Sequence, residues 1–360
     1  MAESSSIEWT DATWNIVTGC DVVSPGCTNC YAMKLAGTRL RSHPSRKGLT
    51  RPSKAGPVWT GEVRFNEDWL DQPLLWKRPR MIFVAAHGDL FHEGVTDAQL
   101  DRVFAVMAVC PEHTFQVLTK RPERMRDYFA AGPWLRWLPH MQSMGSRRKW
   151  AELGEREGGL PNVWLGVSAE DQKRADERIP ALLATPAAVR FVSAEPLLGP
   201  VDLGLGRGWC RACGTLTQGT LDGHCMDPSS PCFEGETFLD AMLHWVICGG
   251  ESGPDARPMH PDWARGLRDQ CAANGVAFHF KQWGAWAPVE VNGGMFMDAS
   301  GNRFAELSQA AEKYQDIHGR LPDGSEYWRV WGFDRVGKKA AGRLLDGRTH
   351  DGIPSMEARP

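Results

Sequence analysis

The sequence has no apolar run approaching the roughly 18 residues that a membrane-spanning helix needs. Its first residues, MAESSSIEWTD, show neither the charged start nor the apolar stretch of a secretion signal. We therefore expect a cytoplasmic protein with no membrane partner. In that reducing compartment ten cysteines are not expected to form disulfides, so clustered cysteines favour metal or redox chemistry.

Acidic residues are absent from positions 22 to 61, although the whole chain carries a net charge of −3. Residues 34–54, which we call the basic excursion, hold these cations: Lys34, Arg39, Arg41, Arg46, Lys47, Arg51 and Lys54. Glycine and proline interrupt any long helix there. The excursion is either a solvated mobile loop or a clamp for an anionic substrate, such as a nucleotide or a nucleic-acid backbone.

Three cysteines lie close together in TGCDVVSPGCTNCYA, residues 18–32. Cys20, Cys27 and Cys30 surround a Ser-Pro-Gly turn, which we call the cysteine loop. A structural zinc site normally uses four protein ligands and a disulfide uses two, so three thiols leave a set incomplete. A three-cysteine [4Fe-4S] cluster would explain the count, with one iron open to a non-protein ligand. The alternative is that the thiols are incidental.

A second group of cysteines lies in GWCRACGTLTQGTLDGHCMDPSSPCFEG. Its four members are Cys210, Cys213, Cys225 and Cys232. Four thiols at this spacing predict a closed zinc site in an inserted segment, residues 206–236, that the metal would fold. A second iron-sulfur cluster and no metal at all are the alternatives, and His224 is a substitute ligand.

Short apolar runs, each usually followed by a helical pattern, recur along the chain, as in βα units that form a parallel sheet. The runs cover residues 81–89, 114–122, 163–171, 190–196, 244–252 and 276–284, with a first strand expected near residues 7–14. The predicted fold class is α/β. Periodicity does not separate an open doubly wound sheet from a full or partial barrel.

Two apolar stripes at helical spacing predict helices between these strands. One comprises Leu100, Val103, Phe104 and Met107; the other comprises Trp263, Leu267 and Cys271, after Pro261 at a helix start. We expect Cys110, Cys248 and Cys271 to be buried in the core.

Polar residues follow the predicted strands, where either architecture places its functional face. They are Asp89, Lys120, Arg121, Ser168, Glu170, Asp171, Ser193, Glu195, Glu251, Ser252 and Lys281. Some are expected only to cap helices. Trp283 and Trp286 follow the last run and are placed to stack on a base or on adenine.

Several motifs together resemble a phage and bacterial family of uncharacterised function that is grouped with the radical S-adenosylmethionine (SAM) barrels. They are TGCDVVSPGCTNCYA, GDLFHE, LTKRPERM, GVSAEDQ, SAEPLLGP and GGESGPDARPMHPDW, and the resemblance covers most of residues 7–286. It implies a full or partial (β/α) barrel of the radical SAM type over residues 1–286, with a C-terminal extension at 287–360.

The resemblance also implies a chemistry. The three thiolates of the cysteine loop would hold a [4Fe-4S] cluster, and SAM would chelate its open iron. An electron from an external donor would then yield a 5′-deoxyadenosyl radical that abstracts hydrogen from the substrate. Gly88 and Asp89 replace the usual Gly-Gly-Glu-like turn that receives the amino group of SAM. The other expected cofactor contacts are Ser168, Glu170, Glu195, Gly249, Gly250 and Glu251.

Placement alone makes Lys120, Arg121 and Lys281 candidates for binding the substrate, with surface salt bridges as the competing explanation. The expected function is modification or repair of a nucleotide or nucleic acid. The alternatives are a metal-stabilised nucleic-acid-binding protein of phage type without SAM chemistry, and an electron-transfer protein. Two departures from the superfamily pattern stand out: six residues, rather than three, separate Cys20 from Cys27, and Asn29 replaces the aromatic residue before Cys30.

Overall fold

The computed structural model describes residues 5–145, 159–205, 242–289, 293–318 and 330–354. In chain order the elements are β1 (Ala12–Trp14), β2 (Val17–Thr18), α1 (Tyr31–Gly37), β3 (Thr50–Ser53), β4 (Gly56–Trp59), β5 (Arg64–Phe65), β6 (Met81–Val84), α2 (Asp97–Val109), β7 (Thr114–Thr119), α3 (Pro122–Ala130), α4 (Trp134–Ser143), β8 (Val163–Ser168), α5 (Gln172–Leu183), β9 (Val189–Ala194), β10 (Trp245–Gly249), α6 (Pro261–Ala273), β11 (Ala277–Gln282), β12 (Trp286–Val289), β13 (Met295–Asp298), β14 (Arg303–Phe304), α7 (Leu307–His318), β15 (Val330–Arg335) and α8 (Lys338–Ala341).

Seven strands of the described ranges form one parallel sheet, in the order β1-β6-β7-β8-β9-β10-β11. Every residue of β8 and β10 is buried, as expected for parallel strands covered on both faces. The predicted α/β class is confirmed. The sheet is consistent with a partial (β/α) barrel, so the open and fully closed alternatives are not needed.

Helix α2 begins at a capping box, in which Thr96 and Gln99 satisfy each other's backbone N–H groups. Its predicted stripe of Leu100, Val103, Phe104 and Met107 is fully buried. Phe104 stacks on Trp137 of α4, with ring centroids 5.4 Å apart. The periodicity therefore identified the buried face of this helix correctly, and Cys110 after it is buried as expected.

The basic excursion is built from α1 and the antiparallel hairpin β3–β4. A small apolar core, formed by Ala32, Met33, Ala36, Leu49 and Trp59, lies beneath it. Most of the excursion's cations are exposed, but Arg46 is only 4% exposed. The segment therefore contains packed structure and still presents most of its cations to solvent.

Helix α6 starts at Pro261, and Trp263, Leu267 and Cys271 are buried, as predicted. Strands β12, β15, β13 and β14 form an antiparallel sheet in that order. The segment 342–352 then runs along β11: Phe280 N–H donates to the His350 carbonyl at 2.8 Å and Gly352 N–H to the Phe278 carbonyl at 3.0 Å. The C-terminal segment thus satisfies backbone groups of the last strand of the large sheet.

The chain divides into two compact units. The first contains Met1–Ser168, Glu177–Val192 and Arg207–His244, and the second contains Ala169–Asp176, Ser193–Gly206 and Trp245–Pro360. Among the described residues, no helix is both long and apolar enough to cross a membrane.

Candidate functional site

The cysteine loop follows β2 at the carboxyl end of the first strands of the first unit. Gly19, just before the first cysteine of the loop, must be glycine. Its φ is +93°, and a Cβ there would overlap the Glu62 carbonyl oxygen. Gly19 also bridges to Gly88, beyond the end of β6. A 3-10 turn at Pro25–Cys27 then leads to Cys30, which is the residue before α1.

All three thiols of the loop are free, and Cys27 is buried. In the described part of the chain, only Asp21, His92 and Glu93 form a group whose three ligand atoms all lie within 4.8 Å of one another. The loop thus offers three unpaired sulfurs as candidate ligands, and the close three-ligand group contains no cysteine.

Burial raises the pKa of the Cys20 thiol to about 12, and the Asp89 carboxylate adds to this effect. Burial also raises the pKa of Cys30. Hydrogen bonds from the backbone N–H groups of Met33 and Ala32 in α1 lower this pKa, but by less than burial raises it. The Arg121 guanidinium opposes the shift at Cys20, and its Nη1 lies 3.7 Å from Cys20 Sγ. A metal centre here would have to displace thiol protons, with Arg121 stabilising the resulting thiolate.

Arg121 is the centre of a charge network in which it and Asp89 are buried, whereas Asp21 is partly exposed and Glu93 is exposed. Its Nη1 donates to Asp89 at 3.0 Å and its Nε to Glu93 at 2.9 Å, while Nη2 pairs with Asp21. Burial disfavours the charged guanidinium, but Asp89 and Cys20 outweigh this and raise the pKa of Arg121. The arginine at the start of α3 therefore joins the cysteine loop to the turn after β6.

Asp89, predicted to receive the amino group of SAM, is already saturated by protein donors. It accepts from the Thr119 hydroxyl at 2.7 Å, from the N–H groups of Phe91 and Lys120 at 3.0 Å, and from Arg121. Gly88 is also explained by packing, because a Cβ there would lie 2.9 Å from the Val17 carbonyl oxygen. Both residues fix the turn against the cysteine loop.

Asp21, His92 and Glu93 form a candidate metal-ligand group beside this network. However, Arg121 already pairs with both carboxylates. Gly94 N–H donates to His92 Nδ1 at 3.0 Å, so the neutral ring carries its proton on Nε2, which faces Asp21 Oδ1 at 3.8 Å. In this tautomer the His92 nitrogen that faces Asp21 carries a proton, so it has no free lone pair with which to bind a metal ion.

Lys120, a predicted substrate contact, lies beside the cysteine loop: its Nζ donates to Ser24 Oγ at 3.3 Å, and its charge lowers the pKa of Cys30 against the larger effect of burial. Ser168 is buried at the end of β8, and its carbonyl accepts from Arg178 at 2.8 Å.

In the second unit, Glu195 and Lys281 form an ion pair at 3.0 Å, and their side chains are 15% and 18% exposed. Ser193 Oγ donates to the other carboxylate oxygen at 3.2 Å. A Cβ at Gly249 would lie 2.6 Å from Glu195 Oε1, so the glycine makes room for this carboxylate. The structure thus brings three of the predicted residues, Glu195, Gly249 and Lys281, together.

Glu251 and Glu170 are less suited to a ligand. Glu251 pairs with Arg257, whose backbone N–H and Nε both donate to Oε2 at 2.8 Å. Glu170 is completely buried, and its carbonyl accepts from Leu198 N–H at 2.7 Å.

The predicted stacking role of Trp283 is not supported, because Trp283 is 6% exposed and its indole N–H donates to the Leu344 carbonyl at 2.9 Å. Trp286 donates to Ala256 at 2.6 Å.

Gly250 is held against the chain after β11. Its N–H donates to the Gln282 carbonyl at 2.9 Å, and a Cβ would overlap the Trp283 carbonyl oxygen.

We expect Gly250→Ala to lower the free energy of unfolding by about 2–4 kcal/mol, since the backbone must move to make room for the Cβ. The control is Gly266→Ala in α6, where a Cβ meets nothing within 4 Å. This substitution should raise the free energy of unfolding by about 0.5–1 kcal/mol, because alanine favours a helix more than glycine does. Urea unfolding of both variants measures this; equal effects would contradict it.

The predicted zinc ligands Cys210, Cys213, Cys225 and Cys232, together with His224, lie outside the described residues.

A family model described as "Protein of unknown function (DUF5131)" matches residues 4–354. The chain belongs to this family. No curated protein and no solved structure matches it. The DUF5131 model spans both compact units, so the cysteine loop and the Glu195–Lys281 pair both lie within the family's own region.

Sequence reasoning missed several residues of this DUF5131 site. Asp21, His92 and Glu93 join the Arg121 network, although the GDLFHE motif contains two of them. The clue was available in part, because Asp21 directly follows a cysteine. Arg121 lies 100 positions from Asp21 and 28 from Glu93, and no spacing rule connects them.

Proposed function

We propose that the chain is an iron-sulfur protein of the radical SAM type, which binds a [4Fe-4S] cluster at Cys20, Cys27 and Cys30. The supporting observation is that one loop carries three free thiols within eleven residues, the number that such a cluster takes from the protein when one iron stays open to SAM. The partial barrel and the resemblance of the motifs support the same proposal.

The surroundings of the loop fit an anionic cluster. Arg121 lies within hydrogen-bonding distance of Cys20 Sγ, and Ser24 Oγ is 3.6 Å from Cys27 Sγ. Hydrogen bonds to the sulfurs are one of the ways in which a protein tunes such a centre. Lys120 adds a positive charge near Cys30. The reduced cluster with SAM would supply a carbon-centred radical, while these residues would hold the thiolates and compensate their charge.

The proposed substrate is a nucleotide or nucleic acid. Its support is the basic excursion, which begins directly after the cysteine loop and presents Arg39, Arg41, Lys47, Arg51 and Lys54 to solvent. No acidic residue lies between positions 22 and 61 to neutralise them. Such a surface attracts phosphate groups, and salt weakens the attraction.

The experiment is anaerobic reconstitution with iron and sulfide, followed by dithionite and SAM. We expect 5′-deoxyadenosine to form, and we expect none from the Cys30→Ala variant treated identically. Product is measured by chromatography and mass spectrometry. A fully reconstituted protein that binds a cluster but releases no 5′-deoxyadenosine would reject the radical chemistry and favour metal-stabilised nucleic-acid binding.

A further inference from the structure

Arg46 is a buried cation without an acidic partner. Its side chain lies in the basic excursion, yet the residue is 4% exposed. Burial, reinforced by the neighbouring Arg64, lowers the pKa of its guanidinium to about 10. Within the ranges that the structure describes, no carboxylate forms an ion pair with it. The guanidinium lies 5.8 Å from the centre of the Trp69 ring, so its surroundings are partly aromatic.

The hydrogen bonds of Arg46 go to neutral groups. Its Nη2 is 2.7 Å from His87 Nδ1 and its Nη1 donates to Ser45 Oγ, whereas the buried Nε has no partner. A guanidinium only donates, so His87 Nδ1 must accept. The neutral ring therefore carries its proton on Nε2 and presents a fixed N–H donor.

His87 stays neutral at physiological pH. Burial, reinforced by the positive charge of Arg46, lowers the pKa of the imidazole to about 4. The His87 side chain is partly exposed, whereas Arg46 is buried. The Nε2–H donor therefore belongs to a ring whose other nitrogen is bound by the positively charged Arg46. Water screens this charge poorly because Arg46 is buried, so its electrostatic effect is stronger than in water.

This pair lies beside the cysteine loop. Gly19 N–H donates to the His87 carbonyl at 3.1 Å. The ring of Tyr31, the residue after Cys30, meets the imidazole edge-on with centroids 5.8 Å apart. His87 also immediately precedes Gly88 and Asp89, at the turn where the amino group of SAM was expected.

An uncompensated buried charge destabilises a folded protein, because its lost hydration is not replaced. A bound anion would restore the balance, whereas an ammonium group would be repelled by Arg46. Asp89 does not neutralise Arg46, since its carboxylate is paired with Arg121 at 3.0 Å. The electrostatics of the turn after β6 therefore favour a negative group.

We propose that His87 and Arg46 form a binding site for one oxyanion, of the phosphate or carboxylate class, beside the cysteine loop. His87 Nε2–H is the contacting donor, and Arg46 is a positioning residue that fixes the ring's tautomer and supplies the charge. The site goes beyond the proposed function, because it requires neither a cluster nor SAM. It fits a phosphate of a nucleotide or a carboxylate of another ligand.

The test is thermal unfolding of the full chain in inorganic phosphate, in sodium acetate and in chloride, all at one ionic strength. A ligand that binds only the folded state raises Tm with its concentration. We expect at least one of the two oxyanions to raise Tm by about 2 °C or more over chloride. The stronger of the two identifies the phosphate or the carboxylate source.

Arg46→Gln and His87→Ala should each abolish this rise. Lys77→Gln and Arg78→Gln, which alter exposed cations outside the basic excursion, should retain it. In chloride alone, Arg46→Gln should unfold at the same or a higher temperature than the unmodified protein, because an unpaired charge has been removed. No oxyanion effect in the unmodified protein, or an undiminished effect in both Arg46→Gln and His87→Ala, would overturn the proposal. If Arg46→Gln does not fold, His87→Ala alone decides.

Discussion

Replacing Cys27 with alanine is expected to abolish cluster binding, reducing iron from about four per chain in the reconstituted protein to nearly none. Cys27 is buried, whereas Cys20 and Cys30 are partly buried. Its loss would leave two thiolates for a centre that already lacks a fourth protein ligand. Cys20→Ala and Cys30→Ala should show the same loss.

The matched control is Cys271→Ala, because Cys271 is completely buried within α6 and belongs to no proposed set of ligands. It removes one sulfur from the core and should leave iron, sulfide and the visible absorption of the cluster unchanged. Iron and sulfide assays on anaerobically reconstituted proteins provide the measurement. Full iron retention in both Cys27→Ala and Cys30→Ala would show that the loop does not bind the cluster.

The second large effect is expected from Arg121→Met. This change leaves Asp89, which is 4% exposed, facing Asp21 and Glu93 without their shared cation. Removing one partner from a buried ion pair typically costs about 3–5 kcal/mol, because a charge is left buried and unpaired. We expect a loss of this size in the free energy of unfolding, measured with urea in the metal-free protein.

Arg124→Met on the same helix is the control. Arg124 pairs with Asp97 at 2.5 Å, but the two side chains are 29% and 52% exposed. Solvent screens such a pair, so its loss should cost about 1 kcal/mol or less. If both variants were destabilised equally, the network around Arg121 would have no special role. Arg121→Lys should recover only part of the stability, since an ammonium lacks the planar fork that reaches several carboxylates.

The sequence predicted best those features that depend on local spacing. The stripe of α2, the proline start of α6 and the apolar strands all follow from regular backbone geometry, in which near neighbours share a face. The three cysteines of the loop are also local, so their grouping could be recognised before the fold was known. Trp283 shows the limit, because stacking was inferred from its position after a strand and it is buried instead.

The charge networks could not be derived in this way. Arg46 was grouped with exposed cations by composition, whereas burial beneath its neighbours sets it apart from Lys47. Asp89 ends a strand run like other polar residues, but the registry of β6 against β7 brings Thr119 and Lys120 to its oxygens. Such pairings depend on distances across the fold, to which sequence separation gives no guide.

The pairing of segment 342–352 with β11 has a consequence for synthesis on the ribosome. Phe280 leaves the peptidyl transferase centre 72 residues before Gly352, an interval of about 4–14 s at usual elongation rates. During that time the backbone of β11 lacks the partners that residues 350–352 later provide. The speed of translation between Phe280 and Gly352 therefore sets how long this strand can pair with the wrong chain.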